Sequence, residues 1–147
     1  ATIVYDTMWR STARIAGAIK SGFDSLQIPA TLYDLQGTHI SDIMTDIITS
    51  RYICVGSPTL NNGVLPSIGA FLTYLKGLAP KERTGLAFGS YGWGGQSIPL
   101  IDEVFRELGW HSLNPVKVQY VPDEETLSAI SETLTNELEG TGVSNEQ

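Results

Sequence analysis

Short apolar runs alternate with amphipathic stretches along the whole chain. The runs predict five strands, at 1–5, 30–35, 52–56, 84–89 and 116–121. The run at 52–56 reads YICVG, and its apolar character is typical of a strand buried on both faces of a sheet. Apolar residues at helical spacing follow every run and predict five helices with one buried face each, at 13–23, 40–48, 68–75, 98–108 and 127–138.

Five repeats of strand and helix indicate an α/β domain. Parallel strands joined by crossover helices form three layers, with helices on both faces of the sheet. Two strand orders are common for an open sheet, and five strands match the order 2-1-3-4-5. In either order a ligand binds beyond the carboxyl ends of the strands, near the first and third strands. The chain is therefore predicted to form one domain at 1–139, followed by a flexible polar tail at 140–147.

The loop after the first strand has the composition of a phosphate cradle. It reads DTMWRST at 6–12 and leads directly into a helix. The free N–H groups and the dipole of the first helical turn favour an anion, and the hydroxyls of Thr7, Ser11 and Thr12 can add donors. The alternative is that Ser11 or Thr12 only caps the helix.

Two further loops are predicted at the same edge of the sheet. SPTLNNGVLP at 57–66 offers carboxamides, a hydroxyl and a glycine, whereas SYGWGG at 90–95 places Tyr91 and Trp93 between glycines. Glycines let a flat ligand approach the backbone, and aromatic rings can cover its face. Taken singly, the asparagines could form a plain turn and Trp93 could be a structural aromatic residue. Together the three loops describe a mononucleotide site, with a flavin preferred for its size.

Composition narrows the choice of partner and compartment. Among 147 residues, 9 lysines and arginines against 16 acidic residues give a net charge of −7, which argues against nucleic acid and against anionic membrane surfaces. No apolar run approaches the ~18 residues that span a bilayer. The single cysteine, Cys54, excludes an internal disulfide and suits a reducing compartment, so a cytoplasmic location is expected. Cys54 lies mid-strand and is predicted to be a buried small hydrophobe.

The three loops resemble those of flavodoxins, and more closely those of the FMN-binding domain of flavodiiron proteins. The resemblance rests on YDTMWRST at 5–12, VGSPTLNNGVLP at 55–66 and AFGSYGWGG at 87–95, and it extends to about Leu138. The pairs Asn61–Asn62 and Gly92–Trp93 are more typical of flavodiiron proteins than of free-standing flavodoxins. Arg10 stands where the flavodoxin phosphate loop usually has glycine, so a cationic side chain is expected near the phosphate.

The resemblance implies a flavodoxin-like fold, non-covalently bound FMN, and one- and two-electron transfer. In flavodiiron proteins the flavin passes electrons to a di-iron site in a preceding β-lactamase-like domain, which reduces oxygen or nitric oxide. The family's dimers bring one subunit's flavin to the other subunit's iron, so the parent protein is expected to be a homodimer or homotetramer. A rubredoxin or another redox carrier would donate the electrons.

The iron ligands of flavodiiron proteins belong to an H-x-E-x-D-H motif that this chain lacks. No metal site and no catalytic acid, base or nucleophile is therefore predicted here, and His39 and His111 are interpreted as solvated surface residues. The chain begins at Ala1, without a methionine, which favours a domain of a longer protein over a free-standing flavodoxin that carries electrons. Two other domain classes with parallel sheets are disfavoured. A receiver domain would need an acidic cluster after the first strand, where this chain has only Asp6, and a Rossmann domain would need G-x-G-x-x-G there, where this chain has no glycine.

The predicted flavin-binding residues fall in the three loops. The first loop is expected to hold the phosphate, the second to follow one edge of the ring, and the third to meet the pyrimidine end, with Trp93 favoured for stacking. A backbone carbonyl near 60–63 would accept a hydrogen bond from the reduced ring. The residues are Thr7, Met8, Trp9, Arg10, Ser11 and Thr12, then Pro58, Thr59, Leu60, Asn61, Asn62 and Gly63, then Ser90, Tyr91, Gly92, Trp93, Gly94 and Gly95.

Overall fold

A computed structural model of the chain describes residues 1–6, 11–58, 63–91, 97–119 and 122–140. Strands and helices alternate from the first residues onward. The strands are β1 (Thr2–Tyr5), β2 (Thr31–Asp34), β3 (Tyr52–Gly56), β4 (Thr84–Tyr91), β5 (His111–Ser112) and β6 (Val116–Gln119). The helices are α1 (Ser11–Ser25), α2 (Ile40–Thr49), α3 (Pro66–Leu78), α4 (Ser97–Glu107) and α5 (Glu124–Gly140).

All the strand pairs of the sheet are parallel, in the order β2-β1-β3-β4-β5, and β6 also pairs with β4. The predicted α/β class and the order 2-1-3-4-5 are confirmed. The register places Tyr5 of β1 opposite Gly56 of β3, and Gly56 opposite Phe88 of β4. The carboxyl ends of the three central strands therefore lie side by side.

The predicted fifth strand, at 116–121, is observed as β6, and a further short strand that the sequence did not predict, β5, precedes it. Leu113 still donates its amide to Gly85 of β4 at 2.8 Å, but the amide of Asn114 donates to the Glu137 carboxylate of α5 at 3.0 Å. Pro115 has no N–H to donate, so the ladder is interrupted between β5 and β6. The described part of the chain therefore contributes six strands to the sheet, where the apolar pattern predicted five.

Helices cover both faces of the sheet, and successive strand residues point to opposite faces. Ile3, Cys54 and Leu86 pack against the α1 and α5 face. Val4 and Val55 pack against α2, α3 and α4. The two apolar clusters make the central strands buried on both sides, as the apolar runs predicted.

Helix ends agree with local sequence signals. Asp123 accepts a hydrogen bond from the amide of Thr126 at 2.8 Å and caps α5. Pro66 occupies the first turn of α3, where its missing N–H costs nothing. Gly109, after α4, has φ of +75°, a conformation that favours glycine. Within the described residues, no helix combines the length and the apolar character needed to cross a membrane.

Candidate functional site

Buried polar side chains gather at one edge of the sheet. Of the seven serine, threonine and aspartate side chains that are buried in the described residues, six lie at or just beyond the carboxyl ends of β1, β3 and β4, and only Thr2 lies elsewhere. Burial of polar groups is unfavourable unless they have partners, so such a concentration indicates a site rather than ordinary core. The six are Asp6, Ser11, Thr12, Ser57, Ser90 and Ser97.

The start of α1 lies at this edge and carries two of the six. β1 ends at Tyr5 and α1 begins at Ser11, so both Ser11 and Thr12 lie in the first turn of the helix. The Thr12 and Ser90 hydroxyl oxygens are 3.3 Å apart, although 78 residues separate them in sequence. This contact joins the first predicted loop to the third.

Ser57 joins the second loop to both neighbouring strands. Its hydroxyl donates to the Pro58 carbonyl at 2.8 Å and accepts from the amide of Leu65 at 3.0 Å, so it bridges the two ends of the loop. Its amide donates to the Phe88 carbonyl at 3.2 Å. Its carbonyl accepts from the Ser97 hydroxyl at 3.1 Å, which ties the start of α4 to the same point. A fully buried serine thus sets where the second and third loops begin.

Two glycines allow this close approach of β3 and β4. A Cβ at Gly89 would lie 2.2 Å from the Ser57 carbonyl oxygen, a backbone atom that cannot easily shift. A Cβ at Gly56 would lie 2.1 Å from the Phe88 ring. Glycine at both positions therefore follows from packing between the strand ends and not from turn geometry.

Asp6 completes the edge on the side of β1. Its amide continues the ladder to the Gly56 carbonyl at 3.4 Å, and its carboxylate accepts from Gln36 Nε2 at 2.8 Å and from the Ser67 hydroxyl. Ser67 belongs to the first turn of α3, and Gln36 to the turn after β2. The first strand end is thereby connected to two further elements.

The structure brings together the described members of the predicted set. Ser11, Thr12, Pro58, Gly63, Ser90 and the backbone of Tyr91 all belong to segments that start or end at this edge. The remaining members lie outside the described residues, so their flavin contacts stay predictions. They are Thr7, Met8, Trp9 and Arg10, then Thr59, Leu60, Asn61 and Asn62, then Gly92, Trp93, Gly94 and Gly95.

Sequence reasoning did not assign a role to the residues that connect the loops. Ser57, Ser67, Ser97 and Gln36 have no motif of their own, and each is recognisable only once the strand register is known. The available signal for Asp6 was a lone acidic residue directly after a buried strand. Such a residue is expensive to bury without a reason.

Burial raises the pKa of described groups on β1 and β3. Burial raises the pKa of the Tyr5 hydroxyl at the end of β1, and the nearby Asp34 carboxylate raises it further. The Cys54 thiol is buried in β3, as predicted, and desolvation raises its pKa to about 12. His39 and His111 are both exposed, and His39 Nδ1 accepts the Ser41 amide at the start of α2.

Residues 3–133 match the flavodoxin family. The chain belongs to that family. Rubredoxin–oxygen oxidoreductase of Megalodesulfovibrio gigas is 38% identical over 140 residues, which cover 92% of this chain and 35% of the relative. Nitric oxide reductase of Moorella thermoacetica is 42% identical over 103 residues, covering 70% of this chain and 26% of the relative.

Solved structures agree with the sequence relatives. The rubredoxin oxygen:oxidoreductase from the anaerobe Desulfovibrio gigas superposes with a TM-score of 0.91 at 33% identity, over 99% of this chain and 37% of that one. The flavodiiron protein from Giardia intestinalis gives 0.90 at 26% identity, over 99% and 36%. The chain thus spans about a quarter to a third of the length of these proteins, and its flavodoxin family implies that it binds a flavin.

Proposed function

We propose that this chain is the FMN-binding electron-transfer domain of a flavodiiron oxygen or nitric oxide reductase. The observation that carries the proposal is the buried polar edge, where the first turn of α1 with Ser11 and Thr12 meets the ends of β1, β3 and β4. Helix-end amides and hydroxyls suit a phosphate. The similarity to rubredoxin–oxygen oxidoreductase, nitric oxide reductase and a flavodiiron protein supports the parent activity.

The described residues fit the phosphate end of FMN. Ser11 and Thr12 stand in the first turn of α1, where amides point out of the helix and the helix dipole favours negative charge. Ser90 lies against Thr12, so the hydroxyls of the first and third loops can act on one anion. FMN and riboflavin share a ring but differ in the phosphate, so this part of the site favours FMN.

The protein's role is to bind and orient the cofactor, while the redox chemistry belongs to the flavin, which accepts and donates one or two electrons. Ser57 holds the second loop closed at its base and Ser97 holds the start of α4, so the loops predicted to contact the ring are anchored on rigid elements. Gly89 and Gly56 keep the strand ends close, which fixes the distance between the two loops.

The relatives support two partners for the proposed domain. A di-iron β-lactamase-like domain of the same parent protein would accept electrons, and rubredoxin or another carrier would supply them, because the relatives include a rubredoxin–oxygen oxidoreductase. In such an assembly the flavin of this domain would face the iron of another subunit. The di-iron site is proposed to lie outside this chain.

A fluorescence titration of the purified chain with FMN, riboflavin and FAD tests the proposal. We expect one-to-one binding of FMN, with flavin fluorescence quenched, and much weaker binding of riboflavin. Equal affinity for FMN and riboflavin would refute the phosphate site, and no binding of any flavin would refute the function. Rapid reduction of the FMN-loaded chain by reduced rubredoxin would then support the proposed donor.

A further inference from the structure

Strand β6 forms one edge of the sheet. It pairs with β4 along Val116–Gln119, and no described strand pairs with its outer side. The outward N–H and C=O groups of an edge strand are able to pair with a further strand. β6 follows directly after Pro115, where the ladder is interrupted, and it lies outside the three predicted flavin loops. The edge is therefore a surface that the proposed function leaves unused.

An apolar pocket of about 250 Å³ lies on the α5 side of β6. Leu86, Val118 and Leu134 line it, and all three are buried members of the apolar cluster beneath α1 and α5. Ala129 of α5 also lines the pocket but is small and exposed, so the pocket is open to solvent. Insertion of an aliphatic side chain would remove its surface and that of the lining from water, which is favourable.

A polar pocket of about 370 Å³ lies on the α4 side of the same strand. The two pockets share Pro115 and Lys117, so β6 runs between them. The charged residues that line the polar pocket are two acids and two bases, Asp102, Glu103, Arg106 and Lys117. Because these charges balance, a neutral side chain with hydrogen-bonding groups suits the pocket better than a side chain of either charge.

One acceptor at the polar pocket lacks a hydrogen bond. The Ser112 hydroxyl donates to the Asp102 carboxylate, but the buried Oδ1 atom of Asp102 has no hydrogen-bond partner in the described part of the chain. Burial raises the pKa of this carboxyl, and the nearby Arg106 and Lys117 cations offset part of that effect. A buried acceptor without a partner is costly, so a donor brought to this pocket would be favourable.

We propose that the outer edge of β6 is a docking site for an extended segment of another protein, which adds a strand to the sheet and alternates aliphatic with neutral polar side chains. Successive side chains of a strand point to opposite faces, so one segment would reach the apolar and the polar pocket in turn. Backbone hydrogen bonds to the edge give such complexes affinity, and pockets for alternate side chains give specificity. The inference goes beyond the proposed function and does not depend on it.

A second copy of this chain is a poorer occupant of the edge. Val118 is buried on the α5 side, so Lys117, the next residue along the strand, points to the α4 side. Antiparallel pairing of two β6 strands about a two-fold axis would place both Lys117 side chains on one face, opposite or diagonal to each other. Like charges in such positions are destabilising, which favours a different protein as the partner.

NMR titration of the isotope-labelled chain with short peptides tests the proposal. The probe is an acetylated and amidated peptide that alternates valine with threonine, and we expect saturable shifts concentrated in the amides of β6, α4 and α5. Methylation of alternate backbone nitrogens removes hydrogen-bond donors but keeps the side chains, and it should weaken binding by about tenfold or more. Peptides with lysine or with glutamate in place of threonine should each bind about fivefold more weakly or less tightly still.

Substitution in the apolar pocket gives a second test. Ala129→Phe fills the pocket from α5 and should weaken binding of the peptide by about tenfold, because the valine side chain loses its place. Ser128→Phe is the matched control, since Ser128 is the preceding residue of the same helix, is exposed, and lines neither pocket. It should leave the peptide's affinity unchanged. FMN affinity should be unchanged in Ala129→Phe, because the edge is separate from the flavin loops.

Each outcome supports or overturns the docking site. No binding of the valine–threonine peptide to folded wild-type protein, or equal binding of its methylated form, would refute an added strand. Unchanged binding in folded Ala129→Phe would refute the apolar pocket, and Thr133→Phe fills the same pocket if Ala129→Phe does not fold. Dimers of the chain that the peptide dissociates, detected by sedimentation, would assign the edge to a second copy and refute the proposed partner. Peptide binding without FMN binding would support this inference while refuting the proposed function.

Discussion

The amino and carboxyl ends of the sheet differ in the side chains that are buried there. At the amino end, Phe23 of α1 is fully buried and its ring lies 5.3 Å from that of Tyr52, the first residue of β3. At the carboxyl end, the fully buried Phe88 is accompanied by buried serines, Thr12 and Asp6. Six of the seven buried polar side chains among the described residues lie at the carboxyl end, so hydrogen bonds with defined partners concentrate at the candidate site, whereas the amino end relies more on apolar packing.

The largest expected effect is a loss of stability on substitution at the amino end of the sheet. Phe23→Ala removes a fully buried ring and should lower the free energy of unfolding by about 3–5 kcal/mol, because the cavity cannot fully collapse. FMN affinity of the folded fraction should remain within about twofold of wild type, since the substituted ring lies at the opposite end of the sheet. Urea unfolding followed by circular dichroism gives the first quantity and flavin titration the second. A large loss of affinity in folded protein would contradict the division between the two ends.

The next largest effect is expected from a substitution that separates the backbones of two strands at the carboxyl end. Gly89→Ala would place a Cβ 2.2 Å from the Ser57 carbonyl oxygen, so β3 and β4 must separate where the second and third loops begin. We expect a loss of roughly 1–3 kcal/mol in the free energy of unfolding, as for overpacked sites, together with FMN binding weakened more than tenfold.

Gly77→Ala is the matched control for that substitution. Gly77 lies in α3, and a Cβ there meets nothing within 4 Å. The change should stabilise the domain by up to about 1 kcal/mol through helix propensity, with no change in FMN affinity. The comparison fails if both alanine variants bind FMN as wild type does.

A smaller and more selective effect is expected from the hydroxyls. Ser11→Ala combined with Thr12→Ala should weaken FMN binding by roughly tenfold or more, because hydrogen bonds to a charged phosphate contribute about 1.5–3 kcal/mol each. Riboflavin, which has no phosphate, should bind as it does to wild type. Parallel fluorescence titrations give both affinities, and an equal loss for the two ligands would remove Ser11 and Thr12 from the phosphate role.

The sequence predicted the features that depend on local pattern. Apolar runs and helical spacing located every helix and the central strands, because burial on both faces of the sheet demands continuous apolar residues. Topology then predicted a ligand site beyond the carboxyl ends of the strands, which is the edge where the buried polar side chains gather. Local pattern did not predict β5, because its two residues, His111 and Ser112, form no apolar run and are recognisable as a strand only from their pairing with β4.

The same limit applies inside the candidate site. Hydroxyl-rich and glycine-rich composition identified the three loops, but the roles of Ser57, Ser67 and Asp6 depend on contacts between elements that are far apart in sequence. Serine is so common that sequence alone cannot distinguish a buried serine that hydrogen-bonds two elements from a serine on the surface. The requirement for glycine at position 89 likewise becomes clear only from the neighbouring Ser57 carbonyl.

The last prediction concerns the chemical reactivity of a cysteine in the middle of the sheet. Cys54 lies in β3 between the two ends, fully shielded on the α1 and α5 face, and burial raises the pKa of its thiol to about 12. At pH 8 the reactive thiolate form is therefore scarce in the folded protein, so alkylation by iodoacetamide should proceed only through unfolding. Phe23→Ala should accelerate labelling, whereas the Ser11 and Thr12 substitutions should leave its rate unchanged, because they weaken the ligand site and not the packed interior. Mass spectrometry of timed samples follows the reaction, and rapid labelling of the wild-type protein without denaturant would show that the interior opens more easily than its apolar packing implies.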